Sequence, residues 1–185
     1  MSRPLVVILG GTRSGKSRFG RDRAAALAAD GRVVYLATAV PGDPELDERI
    51  ALHRRDRPSS WTTVEGAVDL AATIGGIAPG TTILLDGLTL WVSLLVGNER
   101  PSVAAIVEGP IEDVRNALRA HDAPVVVVSD EVGLGLVPMD PVGRAFRDIL
   151  GIAHQRLVSD ADEAWLMVAG RAIALPPGPG AGPAS

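Results

Sequence analysis

Five apolar residues, Leu5-Val6-Val7-Ile8-Leu9, run straight into Gly10-Gly11-Thr12-Arg13-Ser14-Gly15-Lys16-Ser17. The second stretch is G-x-x-x-x-G-K-[ST], and its flanks are the buried strand and the helix that this motif requires. Gly10 and Gly15 allow a tight turn, so that successive backbone N–H groups face inward as an anion cradle. Lys16 is placed to reach β- and γ-phosphates, and the Ser17 hydroxyl to ligate Mg²⁺. A helix opening at Ser17 directs its positive dipole end at the same phosphates. Lys16 is the only lysine in the chain, whose other basic residues are arginines. The motif therefore predicts a site for a nucleoside triphosphate.

The 185 residues favour one domain, expected over 1–175, with a disordered tail over 176–185 (PPGPGAGPAS). A net charge of −4 leaves no basic excess to neutralise a nucleic-acid backbone, so no nucleic-acid partner is expected. The absence of cysteine rules out disulfides, thiolate metal sites and thiol nucleophiles. The N-terminal apolar run is short and ends in the glycine loop, which does not describe a signal peptide. No apolar stretch is long enough for a membrane span, and a cytoplasmic protein is expected.

Short, non-alternating runs rich in Val, Ile and Leu recur at Leu5–Leu9, Arg32–Ala37, Thr82–Asp86, Pro124–Ser129 and Glu163–Val168. Such runs suit strands covered on both faces. Helical patterns fall between them at Ser17–Ala29, Pro44–Arg54, Ala67–Ile77, Ser102–His121 and Pro141–Ser159. The alternation predicts an α/β fold with a mostly parallel sheet and helices on both faces, its ligands at the carboxyl ends of the strands.

Ile83-Leu84-Leu85-Asp86 is an apolar strand ending in a carboxylate, which makes Asp86 a second candidate for Mg²⁺. Glu131, after the strand Val125–Val128, is a comparable candidate. Asp at a strand end also serves as a plain turn or cap residue.

The charged segment Pro41–Arg57 reads as a helical excursion over the mouth of the site. In a helix, Arg49, His53 and Arg57 share one face. Neighbouring cations disfavour imidazolium, leaving a neutral, nucleophilic ring among phosphate-attracting arginines. That combination suits attack on an α-phosphorus, while a solvated, salt-bridged helix remains the bland alternative. His121 and His154 lack such surroundings and read as surface or packing residues.

Together these stretches resemble the bifunctional adenosylcobinamide kinase / adenosylcobinamide-phosphate guanylyltransferase family of cobalamin biosynthesis. The resemblance rests on Gly10–Ser17 with its Arg13-Ser14, Tyr35-Leu36-Ala37-Thr38, Arg49 to Pro58, Glu131 to Pro138, and Phe146-Arg147-Asp148 with Gly151 and Gln155 following. It implies a P-loop NTPase-like (RecA-like) core and a homotrimer. It also implies a guanylylated His53 beside the catalytic Lys16. Nucleotide contacts carry over onto Gly10, Gly11, Thr12, Arg13, Ser14, Gly15, Lys16 and Ser17, onto Ala37, Thr38 and Ala39, and onto Arg54, Arg55, Asp56, Arg57, Glu65 and Asp86. Substrates implied are GTP or ATP and adenosylcobinamide with its phosphate, with Mg²⁺ at Ser17 and Asp86. The chain departs from the family pattern at Gly87, where Cys is usual, and at Asp130 and His154, where Asn is usual. A P-loop kinase without nucleotidyl transfer, and a nucleotide-gated regulatory protein, are the competing readings.

Overall fold

The computed structural model describes residues 3–39, 57–98 and 101–178. The expected helix Pro44–Arg54, with Arg49 and His53, lies outside the described residues, as does most of the tail.

The strands are β1 (Leu5–Gly10), β2 (Val33–Ala37), β3 (Thr62–Glu65), β4 (Thr82–Asp86), β5 (Val125–Asp130), β6 (Glu163–Val168) and β7 (Arg171–Ala174). They form one sheet in the order β3-β2-β4-β5-β1-β6-β7. Every pairing is parallel except β6 with β7, a hairpin at one edge. All of β1 is buried, and its side chains alternate between two cores. Leu5, Val7 and Leu9 join the larger core, while Val6 and Ile8 join the smaller. That two-sided burial is why the central strands read as unbroken apolar runs.

The described helices are α1 (Lys16–Leu27), α2 (Leu70–Gly75), α3 (Leu88–Val96), α4 (Val103–Ile106), α5 (Glu112–Ala120) and α6 (Pro141–Asp160). Helix α1 lies on the smaller core, where Gly20 and Ala24 are buried against β4 and β5. The other helices cover the larger core. The doubly covered, mostly parallel sheet agrees with the α/β architecture expected from the strand and helix alternation.

Three elements were not expected from the sequence. Helix α3 is apolar nearly all round and shows no polar face to reveal a helical period. Strands β3 and β7 are short and largely exposed, held by main-chain pairing at the sheet edges. The expected helix Ser102–His121 is divided, with a π turn over Val107–Ile111 between α4 and α5. Pro110 sits inside that turn, and its missing N–H cannot continue the α-helical ladder. The expected helix Ala67–Ile77 is shorter because Asp69 caps it at Ala72 N and Gly76 closes its end.

Candidate active site

The glycine loop leaves β1 and enters α1 at the carboxyl edge of the sheet. Gly15 has φ 93°, a conformation an L side chain rarely adopts, and it stands at the cap position of α1 without a side-chain cap. By contrast Asp69, Ser102 and Asp140 each cap their helix with a side-chain oxygen. The first N–H groups of α1 are thus left for an anion. Gly10 is needed for close approach rather than for a turn: a Cβ there would lie 2.8 Å from the Met167 carbonyl oxygen. Ser14 is buried, and its hydroxyl has no hydrogen-bond partner.

The loop is braced from a direction the sequence did not suggest. Ala169 and Gly170, both at positive φ, form the tight turn between β6 and β7. Gly170 N donates to Ser14 O across 2.9 Å, fastening that turn to the loop.

Lys16 does not extend into solvent. Its ammonium lies 2.5 Å from Asp130 Oδ1 at the end of β5 and donates to Gly11 O across 3.2 Å. In this arrangement the lysine is folded back over its own loop. The neighbouring Ser17 hydroxyl donates to Asp86 Oδ1 across 3.3 Å, so two hard oxygen donors converge beside the loop. Among the described residues no group of three or more His, Cys, Asp or Glu side chains is placed to hold a metal ion. One hydroxyl and one carboxylate fit Mg²⁺, which commonly takes its remaining ligands from phosphates and water.

Asp86 is held from its other side by Tyr35, whose hydroxyl donates to Oδ2 across 2.5 Å. Burial pushes the phenol well above its usual range, and the Asp86 charge and hydrogen bond push it further, so Tyr35 stays a neutral donor. The Arg57 guanidinium stacks 3.9 Å from the centre of the Tyr35 ring, and its Nη1 lies 3.4 Å from Glu65 Oε1. Arg57, Glu65, Tyr35 and Asp86 therefore form one connected array reaching the Ser17 hydroxyl. Ala37 and Thr38 are buried at the end of β2, and Ala39 is half-buried. Thr38 Oγ1 donates to Gly87 O across 2.6 Å, tying the ends of β2 and β4 together. Gly87, at φ 105°, would put a Cβ 2.9 Å from that hydroxyl.

Glu131 has other partners than this array. Its Oε1 accepts Gly133 N across 2.5 Å, and its Oε2 lies 3.6 Å from His154 Nδ1. Gly11, Thr12 and Arg13 form the exposed crest of the loop. His53, Arg54, Arg55 and Asp56 lie outside the described residues. Tyr35, Asp130 and the Ala169-Gly170 turn were not singled out by sequence reasoning as site residues. Tyr35 stood inside a quoted motif, but only its contact with Asp86 shows what it holds.

A family model described as cobinamide kinase / cobinamide phosphate guanyltransferase matches residues 6–175. The chain is 38% identical over 170 residues to the bifunctional adenosylcobalamin biosynthesis protein CobP of Pseudomonas aeruginosa, covering 91% of this chain and 95% of that one. It is 36% identical over 183 residues to the bifunctional adenosylcobalamin biosynthesis protein CobU of Salmonella typhimurium, covering 92% and 99%. Among solved structures it is similar to the flagellar accessory protein FlaH from Methanocaldococcus jannaschii, with a TM-score of 0.50 and 11% identity over 94% of this chain and 78% of that one. The last likeness is one of fold alone. No helix among the described residues is long and apolar enough to cross a membrane.

Proposed function

The chain belongs to the cobinamide kinase / cobinamide phosphate guanyltransferase family, and from that premise we propose that it carries out both reactions in cobalamin biosynthesis. The observation that carries this reading is the convergence of Lys16, Ser17 and Asp86 around an uncapped helix start at the carboxyl edge of the sheet. In the first reaction, the hydroxyl of the aminopropanol arm of adenosylcobinamide attacks the γ-phosphorus of ATP or GTP. The bond to the β-phosphate oxygen breaks, the nucleoside diphosphate departs and the hydroxyl proton is lost to solvent. Backbone N–H groups of Gly10–Ser17 and the Lys16 ammonium stabilise the negative charge that spreads over the transferring group. Ser17 and Asp86 would hold Mg²⁺, which when bound offsets charge on the β- and γ-phosphates.

In the second reaction a ring nitrogen of His53 attacks the α-phosphorus of GTP, and pyrophosphate leaves. The resulting phosphoramidate-linked GMP is then displaced by a phosphate oxygen of adenosylcobinamide phosphate, giving adenosylcobinamide-GDP and free His53. A covalent intermediate divides a displacement between two anions into two assisted steps. Nucleotide contacts are assigned to Gly10–Ser17, Ala37–Ala39, Arg54–Arg57, Glu65 and Asp86. The catalytic unit is residues 1–175 in the cytoplasm, assembled as a homotrimer.

Incubation with GTP labelled at the α-phosphate tests the second reaction. Wild type is expected to retain acid-labile, protein-bound GMP, and His53→Ala to retain none while keeping phosphorylation of adenosylcobinamide. GMP transfer by His53→Ala at the wild-type rate would overturn the covalent route. Phosphorylation without labelling in wild type would favour a kinase alone.

A further inference from the structure

Helix α6 presents His154 to the end of β5 from beneath the site. The imidazole is 6% exposed, and its Nε2 lies 2.8 Å from the hydroxyl of Ser129, which is fully buried. Ser129 Oγ lies 3.0 Å from Thr89 Oγ1 on α3. Thr89 Oγ1 in turn accepts the backbone N–H of Asp130 across 2.6 Å. Asp130 is the residue whose carboxylate holds Lys16. A continuous chain of hydrogen bonds therefore leads from a buried histidine to the strand end that holds the loop lysine.

One direction of the protons uses every donor of that chain. A backbone N–H only donates, so Thr89 Oγ1 is the acceptor at that end. With Thr89 as the donor to Ser129 Oγ, 3.0 Å away, each hydroxyl of the pair gives one proton and accepts one. Ser129 then donates to His154 Nε2, which requires a lone pair on that nitrogen and the ring proton on Nδ1, facing Glu131. Burial lowers the affinity of the imidazole for a second proton, against the opposing pull of Glu131 and Asp130, and so favours the same neutral ring.

We propose that His154 is a positioning residue for Lys16. By accepting the last proton of the chain it completes the hydrogen bonding of Ser129 and Thr89. That fixes the main chain at Asp130 and so the place from which the ammonium passes to a nucleotide phosphate. A buried histidine that only fills space would leave Lys16 indifferent to its chemistry. The inference rests on Lys16 being the lysine that binds phosphate in the proposed function.

The test is GTP affinity of the full chain, by calorimetry, for wild type, His154→Leu and His154→Asn, each also combined with Lys16→Met. Leu supplies no acceptor, so the end of β5 holds Asp130, and with it the Lys16 ammonium, less firmly, and GTP binding should tighten about fivefold, in the same direction as removal of the Asp130 charge. Asn offers an amide oxygen to Ser129 and should stay within about twofold of wild type. In the Lys16→Met background, His154→Leu should change nothing further, because its effect passes through the lysine. Unchanged or weaker affinity in His154→Leu, or an equal change without Lys16, would overturn the proposal. Wild type failing to bind GTP would instead overturn the functional reading. Should the Leu variant not fold, the ¹⁵N resonances of His154 in wild type decide: a proton on Nε2 rather than Nδ1 refutes the direction of the chain.

Discussion

Tyr35 and Asp86 meet across 2.5 Å, hydroxyl to Oδ2, leaving Oδ1 turned towards the Ser17 hydroxyl. The phenol thus sets which carboxylate oxygen faces the loop, and the Arg57 guanidinium stacked on its ring joins the segment before β3 to the same point. Partners that orient a metal-binding carboxylate matter nearly as much as the ligand itself. Tyr35→Phe keeps the ring and its stacking but removes the hydroxyl. The variant should need about tenfold more Mg²⁺ for half-maximal phosphorylation of adenosylcobinamide. A Mg²⁺ titration of the initial rate reads this directly. An unchanged requirement would show that Asp86 holds its orientation without Tyr35.

The Lys16 ammonium lies 2.5 Å from the Asp130 carboxylate, so a phosphate has to compete with that charge for it. The ammonium is largely shielded while the carboxylate is one-third exposed, so the pair is worth on the order of 1 kcal/mol. Asp130→Asn keeps the shape and removes the charge. The expected result is nucleoside triphosphate binding roughly threefold to tenfold tighter, with the difference shrinking as salt rises. Calorimetric titration with GTP at low and high ionic strength checks both parts. Weaker binding would mean that Asp130 guides Lys16 to the phosphate rather than competing for it.

What could be read from the sequence divides along a physical line. Strands β1, β2, β4 and β5 were legible because burial on both faces forces long apolar runs. The Gly10–Ser17 loop was legible because its backbone needs glycine at fixed spacing, and Asp86 because a carboxylate ends an otherwise apolar strand. Helix α3 was hidden by the same burial that reveals a strand, since its apolar circumference has no period. Strands β3 and β7 depend on the neighbour they pair with. The contacts of the site were hidden for a further reason: Lys16 meets Asp130, Tyr35 meets Asp86 and His154 meets Ser129 only because the sheet order brings distant strand ends together. Local pattern carries no record of those meetings, which is why His154 read as a packing residue.

Two glycines in helices should respond to alanine with opposite signs. Gly20 on α1 lies against β5, and a Cβ there would stand 2.6 Å from Val128 Cγ2, a side chain with no room to retreat. Overpacking of about 1–3 kcal/mol exceeds the gain of about 1 kcal/mol in helix propensity, so Gly20→Ala should lower stability. Gly151 on α6 has nothing within 4 Å of the same construction, and Gly151→Ala should raise stability by about 0.5–1 kcal/mol. Urea unfolding of both variants beside wild type tests the pair. Equal shifts would mean that α1 moves away from the sheet at little cost.

His154 also ties stability to pH, and the direction follows from its surroundings. Burial holds its pKa below the ordinary 6.5, although Glu131 and Asp130 pull upward. Above about pH 6.5 the imidazole is neutral folded or unfolded and contributes no slope. Below that value the unfolded chain takes up a proton which the folded chain refuses, so stability falls with pH until the lower folded pKa is reached. The slope from one such group is at most about 1.4 kcal/mol per pH unit. His154→Asn removes the titrating group while keeping an acceptor for Ser129. The stability advantage of wild type over this variant, measured by urea unfolding, should therefore be greatest at neutral pH and shrink as pH falls below 6.5. An advantage that stays constant across that range would mean that the buried ring takes its proton as readily in the fold as out of it.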